Sequence, residues 1–176
     1  MKKLFLLLLL FAIACNKENP QDGVIVPEVD STTPIVVAPE TGNGTVSVTP
    51  STWTEEFMIL VNDHRRSLGL RALIHNDEVG EIARKHSQNM ATGIVSFGHT
   101  GFSGRCSDAR DALGGGNLCA ENVAAGQKTP EAAFNSWMSS SGHRANIEKS
   151  RVTYTGFGYA KNSSGKYYWT QIFIEL

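Results

Sequence analysis

The first fifty residues and the rest of the chain carry different hydrophobic patterns. Leu4 to Ala14 is an unbroken apolar run behind Met1-Lys2-Lys3. From Asn16 to Pro50, short Val-rich pieces (Val24-Ile25-Val26, Ile35-Val36-Val37, Val46-Ser47-Val48) alternate with Pro, Gly and Thr. Beyond residue 50 the apolar positions become periodic. Thr52 or Thr54 caps a predicted helix with Phe57, Leu60, Val61, His64 and Leu68 at helical spacing, stopped at Gly69. Leu70 to Leu73 reads as a link. Asn76 or Asp77 then opens a second helix with Val79, Ile82, Ala83, His86 and Met90 on one face, ending near Gly93. The Gly-rich stretch from Ile94 to about Leu118 has no period and reads as irregular. Thr129-Pro130-Glu131 combines a capping Thr, Pro at the first helical position and an acidic first turn, so a helix carrying Ala133, Phe134, Trp137 and Met138 follows. The C-terminus reads as a hairpin, Thr153 to Ala160 and Tyr167 to Glu175, turning through Asn162-Ser163-Ser164-Gly165. Helices first and strands later give an α+β domain over 51–176 with helices packed on an antiparallel sheet.

The apolar run of eleven residues is too short for a hydrocarbon core of roughly 30 Å. It fits a secretory signal over 1–14. Cys15 follows Ala12-Ile13-Ala14, which resembles the bacterial lipoprotein signal in which that Cys is lipidated and becomes the mature N-terminus. Residues 15–50 then form an anchor Cys and a Pro/Val-rich tether. Five of the six prolines lie there, with one basic and five acidic residues. Pro isolates each Val-rich piece, so an extended spacer is expected. The resulting address is extracytoplasmic, at the outer membrane or cell surface, with the membrane as partner through the lipid.

Composition adds mainly exclusions. The 176 residues carry Lys+Arg 16 against Asp+Glu 17, a formal net charge of -1, which argues against nucleic acid as a partner. Charged residues are 19% and aromatic ones 9%, neither disordered nor coiled-coil. The domain is expected to be a monomer. Three cysteines cannot build a dense disulfide scaffold; with Cys15 lipidated, Cys106 and Cys119 remain, most simply a bridge in an exported chain. The alternatives are a thiol nucleophile or a metal ligand.

His99, Glu121 and His143 stand in Gly- or Ser-rich surroundings of the kind that line clefts. Two imidazoles and a carboxylate suit a divalent cation such as Zn²⁺, or acid–base work without one. A polar network tying loops together is the plainer reading of the spacing. His64 and His86, on apolar faces, read as packed histidines, and His75 as a solvent-facing turn residue. No Gly-x-Ser-x-Gly elbow is present, so a serine-hydrolase triad is not expected.

Several ordered motifs then resemble one family. They are Leu60-Val61-Asn62-Asp63-His64-Arg65-Arg66 with Gly69-Leu70, Phe97-Gly98-His99-Thr100, Ala120-Glu121-Asn122-Val123-Ala124, Trp137 through Ile147, Gly156-Phe157-Gly158-Tyr159-Ala160, and Tyr168-Trp169-Thr170-Gln171-Ile172-Phe173. Residues 54 to 174 resemble a bacterial member of the CAP superfamily (cysteine-rich secretory proteins, antigen 5, plant pathogenesis-related proteins), also called SCP domains. The resemblance implies a three-layer α-β-α sandwich with a central cleft. In the eukaryotic branch two His and two acidic residues line that cleft and can hold a divalent cation. His99 matches the first His and Glu121 the first acid. The second acid falls at Ser140 and the second His at Tyr168, so the tetrad is incomplete. His143 belongs to the bacterial Gly-His-Arg motif, and Asn122 and Gln171 are expected as cleft neighbours. The expected function is binding of a small-molecule, lipid, glycan or peptide ligand in the cleft. A cell-wall or protein hydrolase using His99, Glu121 and His143 is the alternative, and a structural interaction module the third reading.

Overall fold

The computed structural model describes residues 52–176, so the signal, Cys15 and the tether lie outside the described residues. Nine elements follow one another: α1 (Trp53–Ser67), β1 (Ile74–His75), α2 (Asp77–Ala91), α3 (Phe102–Ala112), β2 (Leu118–Ala125), α4 (Pro130–Met138), α5 (Ser141–Ile147), β3 (Tyr154–Lys161) and β4 (Tyr167–Glu175). The strands form one sheet in the order β1-β3-β4-β2.

Local chemistry starts the helices as expected. The Thr52 hydroxyl accepts from the Glu55 N–H and the Glu55 carboxylate accepts from the Thr52 N–H, a reciprocal capping box, so Thr52 rather than Thr54 is the cap. Asn76 caps α2 through Val79 N–H, and Thr129 caps α4 through Ala132 N–H with Pro130 behind it. Gly69 adopts φ 70°, a left-handed conformation that ends the first helical segment. The buried face of α1 differs from the expected one. It consists of Phe57, Val61 and Arg65, while Leu68 is 51% exposed.

Side chains alternate across β4 and separate two cores. Ile172 and Ile174 face α2 and α3 with Val79, Ala83 and Ala109. Trp169 and Phe173 face the other way, toward Phe57, Val61, Ala133, Trp137 and Ile147 of α1, α4 and α5. Phe57 is stacked on Phe157 (ring centroids 3.9 Å) and meets Trp137 edge-on (5.5 Å). The result is an α-β-α sandwich.

Four local expectations need correcting. The sheet is mixed, because β1 pairs with β3 in parallel. Parallel neighbours need a crossover, and here the connection from β1 to β3 runs through α2, α3, β2, α4 and α5. His75 is therefore not a turn residue; it lies in β1, and its Nε2 accepts from the Phe157 N–H at 3.4 Å. The stretch from Ile94 to Leu118 contains α3, which buries only Cys106 and Ala109 and so writes no apolar stripe into the sequence. The Gly- and Ser-rich surroundings of Glu121 and His143 do not make them loop positions, since Glu121 lies on β2 and His143 on α5.

The tightest contact in the fold lies between α2 and β3. A Cβ at Gly156 would stand 2.2 Å from the Val79 carbonyl carbon, and one at Gly158 would stand 2.2 Å from Arg84 N. Both obstacles are helix backbone, so neither can move aside as a flexible side chain would. Ser87 adds polar fastening, its hydroxyl donating to Gly158 O (3.1 Å) and sharing a hydrogen bond with the Thr170 hydroxyl (2.8 Å).

Two stability outcomes follow. Gly158→Ala forces α2 off the sheet and should destabilise by about 2–3 kcal/mol, as overpacked cores do; urea denaturation with an unchanged midpoint would show that the contact is not limiting. Cys106 and Cys119 are bridged across 13 residues of sequence, joining α3 to β2. Closing such a loop stabilises by about 3 kcal/mol in the chain-entropy model, so reduction should lower the melting temperature. Thiol titration that counts both cysteines as reactive without reductant would contradict the bridge.

Candidate functional site

The site is built on β2, α3 and the loop between α2 and α3. Glu121 pairs with Ile172 across the β2–β4 ladder, so its side chain shares the α2/α3 face of the sheet. Its carboxylate is almost fully buried, with 1% of the side chain exposed. A buried carboxylate must be paired and hydrogen-bonded. Arg105 on α3 supplies most of this, donating from Nε to Oε2 (2.7 Å) and from a terminal nitrogen to Oε1 (2.8 Å). The other terminal nitrogen donates to Thr100 O at 2.7 Å. His99 Nδ1 completes the set at 2.8 Å from Oε1.

That last bond fixes the state of His99. An ionised carboxylate can only accept, so Nδ1 carries the proton, and Nε2 on the opposite edge of the ring is left as the reactive nitrogen. The His99 side chain is 51% exposed while its partner is buried, an orientation that a carboxylate–imidazole pair requires to act on an external group. The loop is held from behind by His86 on α2, whose Nε2–H donates to Gly98 O at 2.8 Å. His99, Phe102, Cys119, Ala120, Glu121 and Asn146 line a cavity of about 390 Å³.

The sequence candidates divide. His99 and Glu121 are brought into direct contact. His143 does not line this cavity. Its carbonyl accepts from Asn122 Nδ2 (3.0 Å) and its ring lies 6.4 Å from Trp137. Asn122 is fully buried, and Asn146 Nδ2 donates to its Oδ1 at 2.9 Å, so it anchors α5 to β2 rather than facing the cavity. Gln171 is fully buried, with Nε2 donating to Thr155 Oγ1 at 3.1 Å. Tyr168 pairs with Ala125, four residues along β4 from the partner of Glu121, and lies under Lys166. Ser140 is the N-cap residue of α5, without a side-chain capping bond. Among the described residues, no group of three or more His, Cys, Asp and Glu side chains stands together as a metal-holding set.

Arg105, Asn146, Phe102 and His86 were not singled out from sequence as site residues. A signal for Arg105 was present, since it directly precedes Cys106, and a bridging Cys fixes its neighbour in place. Asn146 lies three residues after His143 in Gly142-His143-Arg144-Ala145-Asn146, a helical spacing that puts the two on neighbouring positions of α5.

Two imidazoles, His86 buried and His143 half-buried, set a pH dependence. Burial lowers the proton affinity of His86, an effect partly opposed by its bond to Gly98, and lowers that of His143 with help from His99. A His whose folded pKa is depressed binds fewer protons folded than unfolded, so stability rises with pH across that window. The domain should therefore be fully stabilised above the ordinary histidine pKa of about 6.5 and lose stability as pH falls below it. His86→Gln keeps a donor for Gly98 and cannot titrate. Melting curves from pH 7.5 to 5.5 (roughly the window around that pKa) should have a shallower slope for this variant; equal slopes would remove His86 as a contributor.

Known proteins with the same pattern fall into one group. The chain is 34% identical over 125 residues to Uncharacterized protein YkwD of Bacillus subtilis (strain 168), a match covering 70% of this chain and 48% of that one. An extracellular protein containing a SCP domain from Bacillus anthracis str. Ames has a similar fold, with TM-score 0.60 and 24% identity over 73% of this chain and 45% of that one. An outer surface protein of Borrelia burgdorferi gives TM-score 0.60 at 16% identity, covering 73% of this chain and 96% of that one. The chain thus spans about half the length of YkwD and of the Bacillus anthracis protein. Residues 58–173, most of the described part, match the family model itself, and the chain belongs to the cysteine-rich secretory protein (CAP) family.

Proposed function

We propose that this chain is an extracytoplasmic, envelope-anchored CAP-domain protein that binds a lipid, glycan or peptide ligand in the cavity beside His99. The observation that carries this reading is the His99–Glu121–Arg105 cluster. A half-exposed imidazole is held at 2.8 Å on a buried carboxylate whose charge is already compensated. Such preorganisation is unnecessary for a domain that only fills space. The cavity of about 390 Å³ lies within the usual size range of small-molecule sites, and Phe102 and Ala120 give it apolar walls beside the polar His99 and Asn146. The signal-like Leu4–Ala14 run with Cys15, together with relatives described as extracellular and outer surface proteins, supports the address.

A hydrolase is the second reading, favoured by the same 2.8 Å bond. With Nδ1–H held by Glu121, His99 Nε2 is the basic nitrogen and could take a proton from an attacking water. Glu121 would orient the ring and stabilise the imidazolium, and Arg105 would keep the carboxylate in place.

The full-length protein, recovered from membranes in mild detergent, tests both readings. It should retain a component of a phospholipid extract, a peptidoglycan digest or a peptide mixture in native mass spectrometry, and His99→Ala should lose it. Products that the wild type releases and His99→Ala does not would select the hydrolase. Neither retention nor products from any of the three mixtures would favour an interaction module. In the same preparations Cys15→Ser should move the protein from the membrane to the soluble fraction; retention in the membrane would contradict lipid anchoring at Cys15.

A further inference from the structure

Glu121 is a buried carboxylate in contact with an imidazole, the setting from which a divalent-cation site with His99 and His143 was expected. Its main partner is instead a guanidinium. A metal ion needs carboxylate lone pairs and an unprotonated ring nitrogen turned toward it. Here both carboxylate oxygens accept from N–H groups, and the ring nitrogen facing them carries the proton. A divalent ion arriving at Glu121 would also face the permanent charge of Arg105 at contact range.

We propose that Arg105 takes the place of the cation in this cleft, neutralising Glu121 and presenting His99 to a ligand without a metal. The inference shares its location with the ligand-binding reading, but its test needs no cleft ligand, so either can fail alone.

The arrangement is constructed to keep Arg105 where it is. Its side chain is 12% exposed against 1% for Glu121, so the pair is largely withdrawn from water. A planar guanidinium matches the two carboxylate oxygens in a way that the point charge of Lys does not. Cys106, the next residue, is bridged to Cys119, which lies two positions from Glu121 on the same face of β2. The covalent link therefore holds the helix carrying the cation against the strand carrying the anion. The third guanidinium contact, to Thr100 O, and the His86 bond to Gly98 O grip the residues flanking His99. Swinging Arg105 away to admit a metal would break all three of its contacts and strand a buried charge.

The experiment follows the His99 ring by NMR in full-length protein labelled at histidine nitrogens, during titration with zinc chloride. In the wild type the His99 signals should not move with zinc. Arg105→Gln retains N–H donors for Glu121 but removes the charge; there zinc should shift or broaden His99, at least about tenfold more tightly than in wild type, as loss of repulsion at contact range implies. Adding Glu121→Gln to that variant should abolish the response. Arg105→Lys keeps the charge and should remain silent. Arg105→Met serves as a second neutral variant should Arg105→Gln not give a wild-type NMR fingerprint. A His99 response to zinc in the wild type that Glu121→Gln removes would overturn the proposal, and so would a folded neutral variant whose His99 ignores zinc.

Discussion

The arrangement of this domain depends on how closely one helix backbone can approach one strand. With no Cβ at Gly156 and Gly158, α2 lies directly on β3, and Ser87 fastens it to the Gly158 carbonyl and to Thr170. This contact defines the α2/α3 core, because Val79 and Ala83 reach Ile172 and Ile174 only from that height. Its effect extends to the cleft. His86 adjoins Ser87, so the depth of α2 also sets where His86 meets Gly98 O and hence where the backbone delivers His99. A few tenths of an ångström at the glycines are thus passed on to the imidazole with little compliance, as close-packed interiors transmit strain.

The other layer is tied together by different means. Arg65 is fully buried and donates to the carbonyls of Arg71, Ile147 and Lys149. Two of these carbonyls belong to the C-terminal end of α5 and the residues just beyond it, where unpaired acceptors and the negative end of the helix dipole stabilise a cation. Burial accordingly makes Arg65 easier to deprotonate than an ordinary arginine, yet three acceptors hold it. The same α5 delivers Asn146 to Asn122 and to the cavity wall. The two sides of the sheet therefore meet at β2, with Glu121 facing one layer and Asn122 the other.

The sequence announced what local chemistry decides and hid what distant contacts decide. Capping residues Thr52, Asn76 and Thr129 marked three helix starts because a cap is a bond to the neighbouring turn. The hairpin of β3 and β4 was legible from its turn and its apolar content. The α3 segment was not, because a disulfide and the Arg105–Glu121 pair hold it rather than an apolar stripe. The β2 strand, with three Ala, one Glu and one Asn, takes its conformation from its ladder with β4 and not from propensity. In the site, His99 and Glu121 could be named from motifs, whereas the guanidinium that holds Glu121 had only its place beside Cys106 to mark it, because nothing in the spacing links position 105 to 121. Tyr168 shows the converse limit. Motif order placed it at the cleft, and the strand register put it four residues along β4 from the partner of Glu121.

Among the described residues the β2 strand pairs only with β4, which puts its other side at the margin of the described sheet. There the carbonyls of alternate residues Glu121 and Val123 accept from the Asn146 amide (3.4 Å) and the Trp137 indole (3.1 Å). An open sheet margin is a template on which another chain can add a strand and begin aggregation. A second molecule docking along β2 would first have to strip off two side chains that belong to a packed helical layer, one of them the fully buried Trp137. Asn146, which lines the cavity, and Trp137, which belongs to the core, therefore also guard against self-association, and a substitution at Asn146 carries a solubility cost separate from any loss of binding.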